Sequence, residues 1–127
     1  MKKVVKTDKA PAAIGPYSQA IECNGMIFTS GVIPIIPATG ELVSGGVEEQ
    51  TKQTLANVTA LLEAAGTDIA NVIKTTVFIK NMDDFGKINE IYATYFSDPF
   101  PARSCVEAAR LPKDVLIEVE AIAWKQI

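Results

Sequence analysis

The segment from Val115 to Lys125 restricts the fold most, because apolar residues occupy its odd positions through Ala123. These odd positions are Val115, Ile117, Val119, Ala121 and Ala123. Side chains alternate between the two sides of a strand, so the segment predicts a β-strand with one buried face. The even positions mix charge with large apolar groups: Leu116, Glu118, Glu120, Ile122 and Trp124. A solvated face rarely carries such a mixture, so we expect another subunit to cover it; an open face with a few exposed hydrophobic residues is the weaker alternative.

The first third of the chain is rich in turn-forming residues and predicts short strands and loops. Segments 17–23 and 26–30 have strand composition and are joined by Asn24-Gly25. That dipeptide favours a type I′ turn, because both of its residues tolerate positive φ. We therefore predict a hairpin here.

Two helices are predicted from apolar residues at helical spacing. The first covers Val47 to Ala65 and ends at Gly66, a residue typical of a helix C-terminus. Its apolar positions are Leu55, Val58, Leu62 and Ala65. The second begins at a cap on Asp83 and ends before the segment 98–101, which contains two prolines. Its shared apolar face carries Phe85, Ile88, Tyr92 and Phe96.

Strands are further predicted at 73–80 and 103–109, the second followed by a turn at 111–114. The order is then strands, helix, strand, helix and two strands. This order predicts an α+β fold of two layers, in which a mixed sheet carries both helices on one face.

Length and charge limit the function. At 127 residues the chain has the size of one domain, and no repeat or linker divides residues 1–127. Acidic residues outnumber basic ones and the sequence pI is about 4.9, so nucleic acid is a disfavoured partner. No apolar run approaches the roughly 20 residues that span a membrane, and no secretory signal begins the chain. We expect a cytoplasmic protein.

The chain contains no histidine, and it therefore lacks the commonest metal ligand and the commonest general base. Ser-His-Asp, Cys-His and zinc-bound-water chemistry are excluded for a lone chain. Cys23 and Cys105 have no CxxC spacing, so reduced thiols are expected. We predict no metal site, and proton transfer must depend on Glu, Asp, Lys, Tyr, Cys or water.

The strand at 103–109 also alternates between two faces. One face carries Arg103, Cys105 and Glu107, and the other carries Ser104, Val106 and Ala108. If Val106 packs toward the helices, Arg103 lies on the mixed face with Glu118. From the pattern alone, such a pair is a structural ion pair at least as readily as a catalytic one.

Several separated segments resemble one known family along the whole chain. They are PARSCVE at 101–107, ARLPKDV at 109–115, IEVE at 117–120, AAIGPYSQA at 12–20, TSG at 29–31, Asn57, AAG at 64–66 and KTTVF at 74–78. Together they are similar to the RidA family, also called YjgF. The resemblance implies a chorismate mutase-like fold, a single RidA-like domain and a homotrimer with pockets between its subunits.

The resemblance also implies an activity without a cofactor: hydrolytic deamination of reactive 2-imino and 2-enamino acids, such as those derived from 2-aminoacrylate. The products would be 2-keto acids and ammonia. By this likeness Arg103 would hold the substrate carboxylate through two parallel hydrogen bonds, and Glu118 would deprotonate the attacking water.

Other residues would bind substrate by the same likeness: Tyr17, Ser30, Gly31, Asn89 and the backbone around Cys105. We expect one subunit to supply Arg103, Cys105 and Glu118, and the next to supply Tyr17, Ser30 and Asn89. Each of the binding residues also has an ordinary structural interpretation, such as a packed aromatic ring or a small buried thiol. Glu107 and Glu120 are equally well explained as ion-pair partners at an interface.

Two other functions stay open. The same family includes proteins described as L-PSP endoribonucleases that inhibit translation, although the low pI and the missing histidine weigh against RNA chemistry here. A noncatalytic module that binds small carboxylates is the second alternative.

Overall fold

The computed structural model of the chain describes residues 1–126 and contains a six-stranded mixed sheet with two α-helices. The strands are β1 (Lys3–Val5), β2 (Ala20–Cys23), β3 (Met26–Thr29), β4 (Val72–Ile79), β5 (Ala102–Glu107) and β6 (Ile117–Trp124). The helices are α1 (Val47–Ala64) and α2 (Phe85–Tyr95). The predicted α+β class is confirmed. Within residues 1–126, neither helix is long and apolar enough to cross a membrane.

The strands lie side by side in the order β1-β2-β3-β6-β4-β5. Strands β4 and β5 are parallel, and the other neighbouring pairs are antiparallel. Helix α2 lies between β4 and β5 in the chain and supplies the crossover that a parallel pair requires. Because β5 is at the edge of the sheet, one side of its backbone has no neighbouring strand in this chain.

The predicted hairpin and first helix are confirmed. Strands β2 and β3 pair across Asn24 and Gly25, whose φ angles of 50° and 75° are those of a type I′ turn. Helix α1 ends one residue before the predicted limit, and Gly66 follows it with a φ of 87°. The predicted first strand was too long: β2 begins at Ala20, and Tyr17 lies in the preceding loop.

The start of the second helix differs from the prediction. The side chain of Asn81, not that of Asp83, provides a cap, and it caps the 3-10 turn before α2: its Oδ1 accepts a hydrogen bond of 2.9 Å from the backbone amide of Asp83. Asp84, the residue before α2, makes no side-chain cap. A short 3-10 turn over Met82–Asp84 then leads into α2. Strand β1 was not predicted, because three residues are too few to show an alternating pattern.

The core lies between the two helices and one face of the sheet. The odd residues of β6 from 117 to 123 are at most 2% exposed, as their alternation predicts. They belong to one apolar cluster with residues of both helices. The helix residues include Leu55, Val58 and Leu62 from α1, and Ile88 and Tyr92 from α2. Both helices therefore cover the same face, as predicted.

The opposite face of the sheet carries no helix, and large apolar side chains are exposed on it in the isolated chain. Trp124 is 44% exposed and pairs with Met26 across the β3–β6 ladder. In the same ladder Phe28, which is 42% exposed, pairs with Ile122. We call this surface the open face. Its composition matches the mixed even positions of β6.

Strand β5 presents to the helices the face opposite to the one that we predicted. Val106 does not pack toward the helices: it is 44% exposed and lies beside Phe78, on the open face. Arg103 instead lies beside the buried Thr75 and contacts α2. Neighbouring side chains of a strand point to opposite faces. Because Val106 lies on the open face, Arg103, Cys105 and Glu107 all lie on the helix side. Arg103 and Glu118 therefore lie on opposite faces of the sheet.

Candidate functional site

The residues predicted for the site form two separate groups within one chain. The acid group consists of Tyr17, Ser30, Gly31 and Glu118, which line one cavity. The arginine group consists of Asn89, Arg103 and Cys105, at the junction of β5 and α2. This grouping differs from the expected one in two positions. Glu118 lies with Tyr17 rather than with Arg103, and Asn89 lies with Arg103 rather than with Tyr17.

The acid group borders a cavity of about 320 Å³ whose walls are mostly apolar. The cavity is lined by Ala10, Pro11, Ala12, Ile14, Tyr17, Gln19, Ser30, Gly31, Val32, Ile33, Ile35, Leu61, Pro112, Lys113 and Glu118. Such a composition, with one ionisable carboxyl among apolar walls, is typical of a small-molecule site. Its size and lining suit a small ligand with an apolar part.

Glu118 is the half-buried carboxyl of this cavity. Burial raises its pKa, and the negative charge of neighbouring Glu120 raises it further. Among residues 1–126, no side chain or backbone donor forms a hydrogen bond with its carboxylate. Gly31 lies directly against it, and a methyl group added at Gly31 would collide with the Glu118 carboxylate. A side chain at position 31 would therefore displace the Glu118 carboxylate from its place in the cavity.

Ser30 and Tyr17 define the polar edge of the cavity. The Ser30 hydroxyl donates a hydrogen bond of 2.6 Å to the carbonyl of Ser18, which ties the end of β3 to the loop that carries Tyr17. The Ser30 oxygen can still accept a hydrogen bond from a ligand. Tyr17 is 52% exposed, so its ring borders the cavity without being fixed in the core.

Arg103 is held from the helix side. Its Nη1 donates a hydrogen bond of 2.7 Å to Oδ1 of Asn89. Its guanidinium carbon lies 4.8 Å from the ring centre of Tyr92 and 5.3 Å from that of Phe85. Cation–π contacts of this kind orient the planar guanidinium without neutralising its charge. Arg103 opens onto a cleft that it shares with Phe100 and Pro101.

Tyr92 and Phe85 were not predicted as site residues. Tyr92 is fixed by a hydrogen bond of 2.8 Å between its hydroxyl and that of Thr75, and burial raises its pKa. The available signal was their spacing: Phe85, Asn89 and Tyr92 occur at i, i+4 and i+7, which places them on one side of α2. The sequence analysis assigned Phe85 and Tyr92 to the core alone.

Cys105 is half-buried and packs against the core beside Arg103 in the strand. Burial raises the pKa of its thiol, although the positive charge of Arg103 partly offsets this effect. A protonated thiol is a poor nucleophile. The noncovalent role expected for Cys105 fits this environment, and the free backbone edge of β5 beside it can bind a polar ligand.

Two buried amides support the walls of the cavity. Asn57 is 2% exposed, and its Nδ2 donates hydrogen bonds to the carbonyls of Ile33 and Ile35 at 3.1 and 2.8 Å. Gln19 holds the opposite wall through its side-chain amide. Both residues belonged to segments of the family resemblance, but neither was predicted to have a role. The signal was a polar residue at a buried position, since a buried amide needs partners.

The other acidic residues do not join either group. Oε1 of Glu107 accepts a hydrogen bond of 2.8 Å from the backbone amide of Met82, which supports the turn before α2. Glu120 is exposed on the open face. Among residues 1–126 there is no cluster of three or more His, Cys, Asp or Glu side chains suited to a metal ion.

Chemically, the acid group offers a proton acceptor whose basicity is raised, inside an apolar cavity. The arginine group offers a preoriented cation for a carboxylate. A molecule that needs both must contact two faces of the sheet, which a small molecule bound to one chain cannot do.

Comparison with known proteins agrees on one family. The family model described as Endoribonuclease L-PSP matches residues 7–125. The 2-iminobutanoate/2-iminopropanoate deaminase of Escherichia coli is 53% identical over 129 residues, covering 99% of this chain and 100% of that protein. The mouse protein of the same name is 51% identical, covering 97% of this chain and 91% of that protein. The crystal structure of E. coli TdcF with bound serine has a TM-score of 0.91 and 46% identity, over 98% of this chain and 99% of that one.

Proposed function

The chain belongs to the family described as Endoribonuclease L-PSP, and from its similarity to relatives named as deaminases we propose that it is an imine deaminase. Such an enzyme hydrolyses small 2-imino and 2-enamino acids to 2-keto acids and ammonia. The observation that carries this proposal is the full-length identity, above one half, to relatives that are named for this reaction. The raised pKa of Glu118 and the fixed guanidinium of Arg103 supply the two groups that the reaction needs.

The reaction follows from these two groups. Arg103 binds the substrate carboxylate and places the C=N carbon within reach of a water molecule at Glu118. The Glu118 carboxylate takes a proton from that water while the water oxygen bonds to the imine carbon and the C=N π electrons move to nitrogen. Glu118 then returns that proton to the nitrogen, which gives a neutral carbinolamine. As the C–N bond breaks, the hydroxyl proton passes through Glu118 to the nitrogen, so ammonia leaves and the keto group forms. No cofactor takes part.

We further propose that each site is shared between two copies of the chain. Arg103 and Glu118 lie on opposite faces of the sheet, so one chain cannot present both to a small imino acid. The acid group of one copy would face the arginine group of the next. Contacts between two different surfaces form a ring when the rotation between copies closes, and an open filament when it does not. A homotrimer, which the family resemblance implies, is the ring that we propose.

The open face supports this assembly. Phe28, Val106 and Trp124 are each more than 40% exposed in the isolated chain, and they lie on the same side of the sheet. Burying apolar surface of this kind stabilises association by roughly 25 cal/mol per Å² before the costs of ordering. The open face would therefore provide the hydrophobic contact between copies, and the two residue groups would meet at the junctions.

The direct test supplies an enamine generated in situ from serine or threonine by a pyridoxal-phosphate dehydratase and follows ammonia and keto-acid release. The wild-type protein should accelerate both. Arg103→Lys should lower kcat/KM by about a hundredfold, because a lysine cannot reproduce a two-point carboxylate contact. Glu118→Gln should lower it by roughly 10²–10⁴-fold.

The family description makes RNA cleavage the second candidate, so the same preparation is incubated with a single-stranded RNA. RNA cleavage that Glu118→Gln abolishes, without deamination by the wild type, would refute the proposed function. Deamination without RNA cleavage is the result that we expect.

A further inference from the structure

One wall of the Glu118 cavity is a segment without helix or strand. We call residues 7–14 the strap. Four of its residues line the cavity: Ala10, Pro11, Ala12 and Ile14. Ile33 and Ile35 line the same cavity from the loop that Asn57 holds. The apolar wall that a ligand side chain would meet therefore depends on where the strap lies.

One buried side chain binds the strap through hydrogen bonds, in addition to the packing of Ala10 in the core. Gln19 is 7% exposed, and its Oε1 accepts a hydrogen bond of 2.8 Å from the backbone amide of Thr7. Its Nε2 donates to the carbonyls of Thr7, Ala10 and Pro11 at 2.9, 3.3 and 2.8 Å. An amide group has two N–H donors, so both are used and are shared among three acceptors. In this way Gln19 replaces the strand partner that the strap lacks.

The backbone of Gln19 is tied to the acid group itself. Its carbonyl accepts a hydrogen bond of 2.9 Å from the amide of Ser30, and the neighbouring Ser18 carbonyl accepts one from the Ser30 hydroxyl. Gly31 follows directly and contacts Glu118. The strap and the proton acceptor are thus connected through one residue, so a shift of Gln19 changes the distance between them.

We propose that Gln19 is a positioning residue that sets selectivity for the substrate side chain, by holding the strap as the apolar wall of the cavity. This inference rests on the proposed function, since it assumes a 2-imino acid whose carbon of reaction lies at Glu118. The side chain of that substrate packs against Ala10, Pro11 and Ile14. Against a fixed wall, each methylene group added to the substrate strengthens its binding, whereas a loose wall gives no such gain.

The test compares wild type with Gln19→Met, which keeps the length of the side chain and removes its hydrogen bonds. Imino acids with a methyl or an isobutyl side chain are generated in situ from alanine and leucine by an amino-acid oxidase with catalase. We expect the ratio of kcat/KM for isobutyl over methyl to fall about tenfold, mainly through KM for the isobutyl substrate. The kcat for the methyl substrate should change little.

Hydrogen exchange gives a readout that does not depend on activity. The amides of the strap should exchange faster in Gln19→Met, while those of α1 keep their wild-type protection. Thr67→Val is the matched control, because the Thr67 hydroxyl also donates to a backbone carbonyl, that of Trp124, and Thr67 does not line the cavity. It should leave both the selectivity ratio and strap exchange unchanged.

If Gln19→Met does not fold, Lys9→Gly loosens the strap at an exposed residue that does not line the cavity, and it should lower the same ratio. Faster strap exchange with an unchanged selectivity ratio would overturn the proposal, and so would an equal loss for both substrates in kcat alone. Failure of the proposed function has a different signature, which is a wild-type protein that hydrolyses neither imino acid.

Discussion

The opposite placement of Arg103 and Glu118 predicts that two inactive variants will restore each other. The perturbation is a pair of single substitutions, Arg103→Lys in one preparation and Glu118→Gln in the other. Each alone damages every site of its own oligomer. If a site takes Glu118 from one copy and Arg103 from the next, a mixed ring contains junctions where both residues are intact. Two residues of one chain's own site could not produce this recovery.

The size of the recovery follows from the geometry of a ring. In a random equimolar mixture, the copy that supplies Glu118 to a junction has that residue intact with a probability of about one half. The same holds for the copy that supplies Arg103, so about one quarter of junctions are complete. Activity should therefore return to about one quarter of the wild-type value. This level lies far above the background of the parents, which are reduced by about a hundredfold or more.

The assay unfolds the two variants together, refolds them by dilution, and measures keto-acid release from an enamine generated in situ. Native mass spectrometry confirms that mixed oligomers have formed. The matched control pairs Glu118→Gln with Tyr17→Phe, since both residues line the same cavity of one chain. This pair should show no more than the mean activity of its two parents. A mixture of the Arg103 and Glu118 variants without activity, despite verified mixed oligomers, would refute the shared site.

Four further predictions concern stability and chemistry. Burial raises the pKa of Glu118, so the folded protein loses stability as pH rises through that raised pKa and the carboxyl ionises. Glu118→Gln should therefore unfold at a higher urea concentration than wild type near pH 7. This gain in stability should vanish at roughly pH 3, below the pKa of the unfolded state. Wild-type kcat/KM should fall on the acid side at a pH above the ordinary glutamate range, and a limb at the ordinary value would contradict the assignment of the base. The buried hydroxyl of Thr54 has no hydrogen-bond partner among residues 1–126. Thr54→Val should therefore raise the free energy of unfolding by about 1 kcal/mol in urea denaturation at fixed protein concentration. A destabilised variant would show that this hydroxyl forms a hydrogen bond in solution. Dialysis against a strong chelator should leave turnover unchanged, and activity that is lost and then restored by one added metal would overturn the metal-free chemistry.

Local sequence patterns were enough for most of the fold. Alternation from Ile117 to Ala123 predicted a strand with one buried face, and helical spacing followed by Gly66 predicted α1 to within a residue. Both patterns are set by the geometry of the chain itself, 2.0 residues per repeat in a strand and 3.6 in a helix, so they need no knowledge of neighbours. The cap on Asn81 was missed because Asn81 and Asp83 are both good cap residues, and only the hydrogen bond distinguishes them.

The sequence did not predict which site residues lie together, because this depends on the tertiary structure. Alternation showed that Arg103 and Val106 lie on opposite faces of β5, yet it could not say which face meets the helices, because the pattern is the same when the strand is turned over. Hydrophobicity favoured packing Val106 inward. The parallel pairing of β5 with β4 and the amide of Asn89 on α2 decide otherwise, since they offer Arg103 a hydrogen-bond acceptor on the helix side and leave Val106 beside Phe78 on the open face. The sequence by itself therefore predicted most of the elements, the family and the residues that we propose for the chemistry. Contacts between distant segments decided which of those residues meet, because the face that a strand buries depends on its partners and not on its own periodicity.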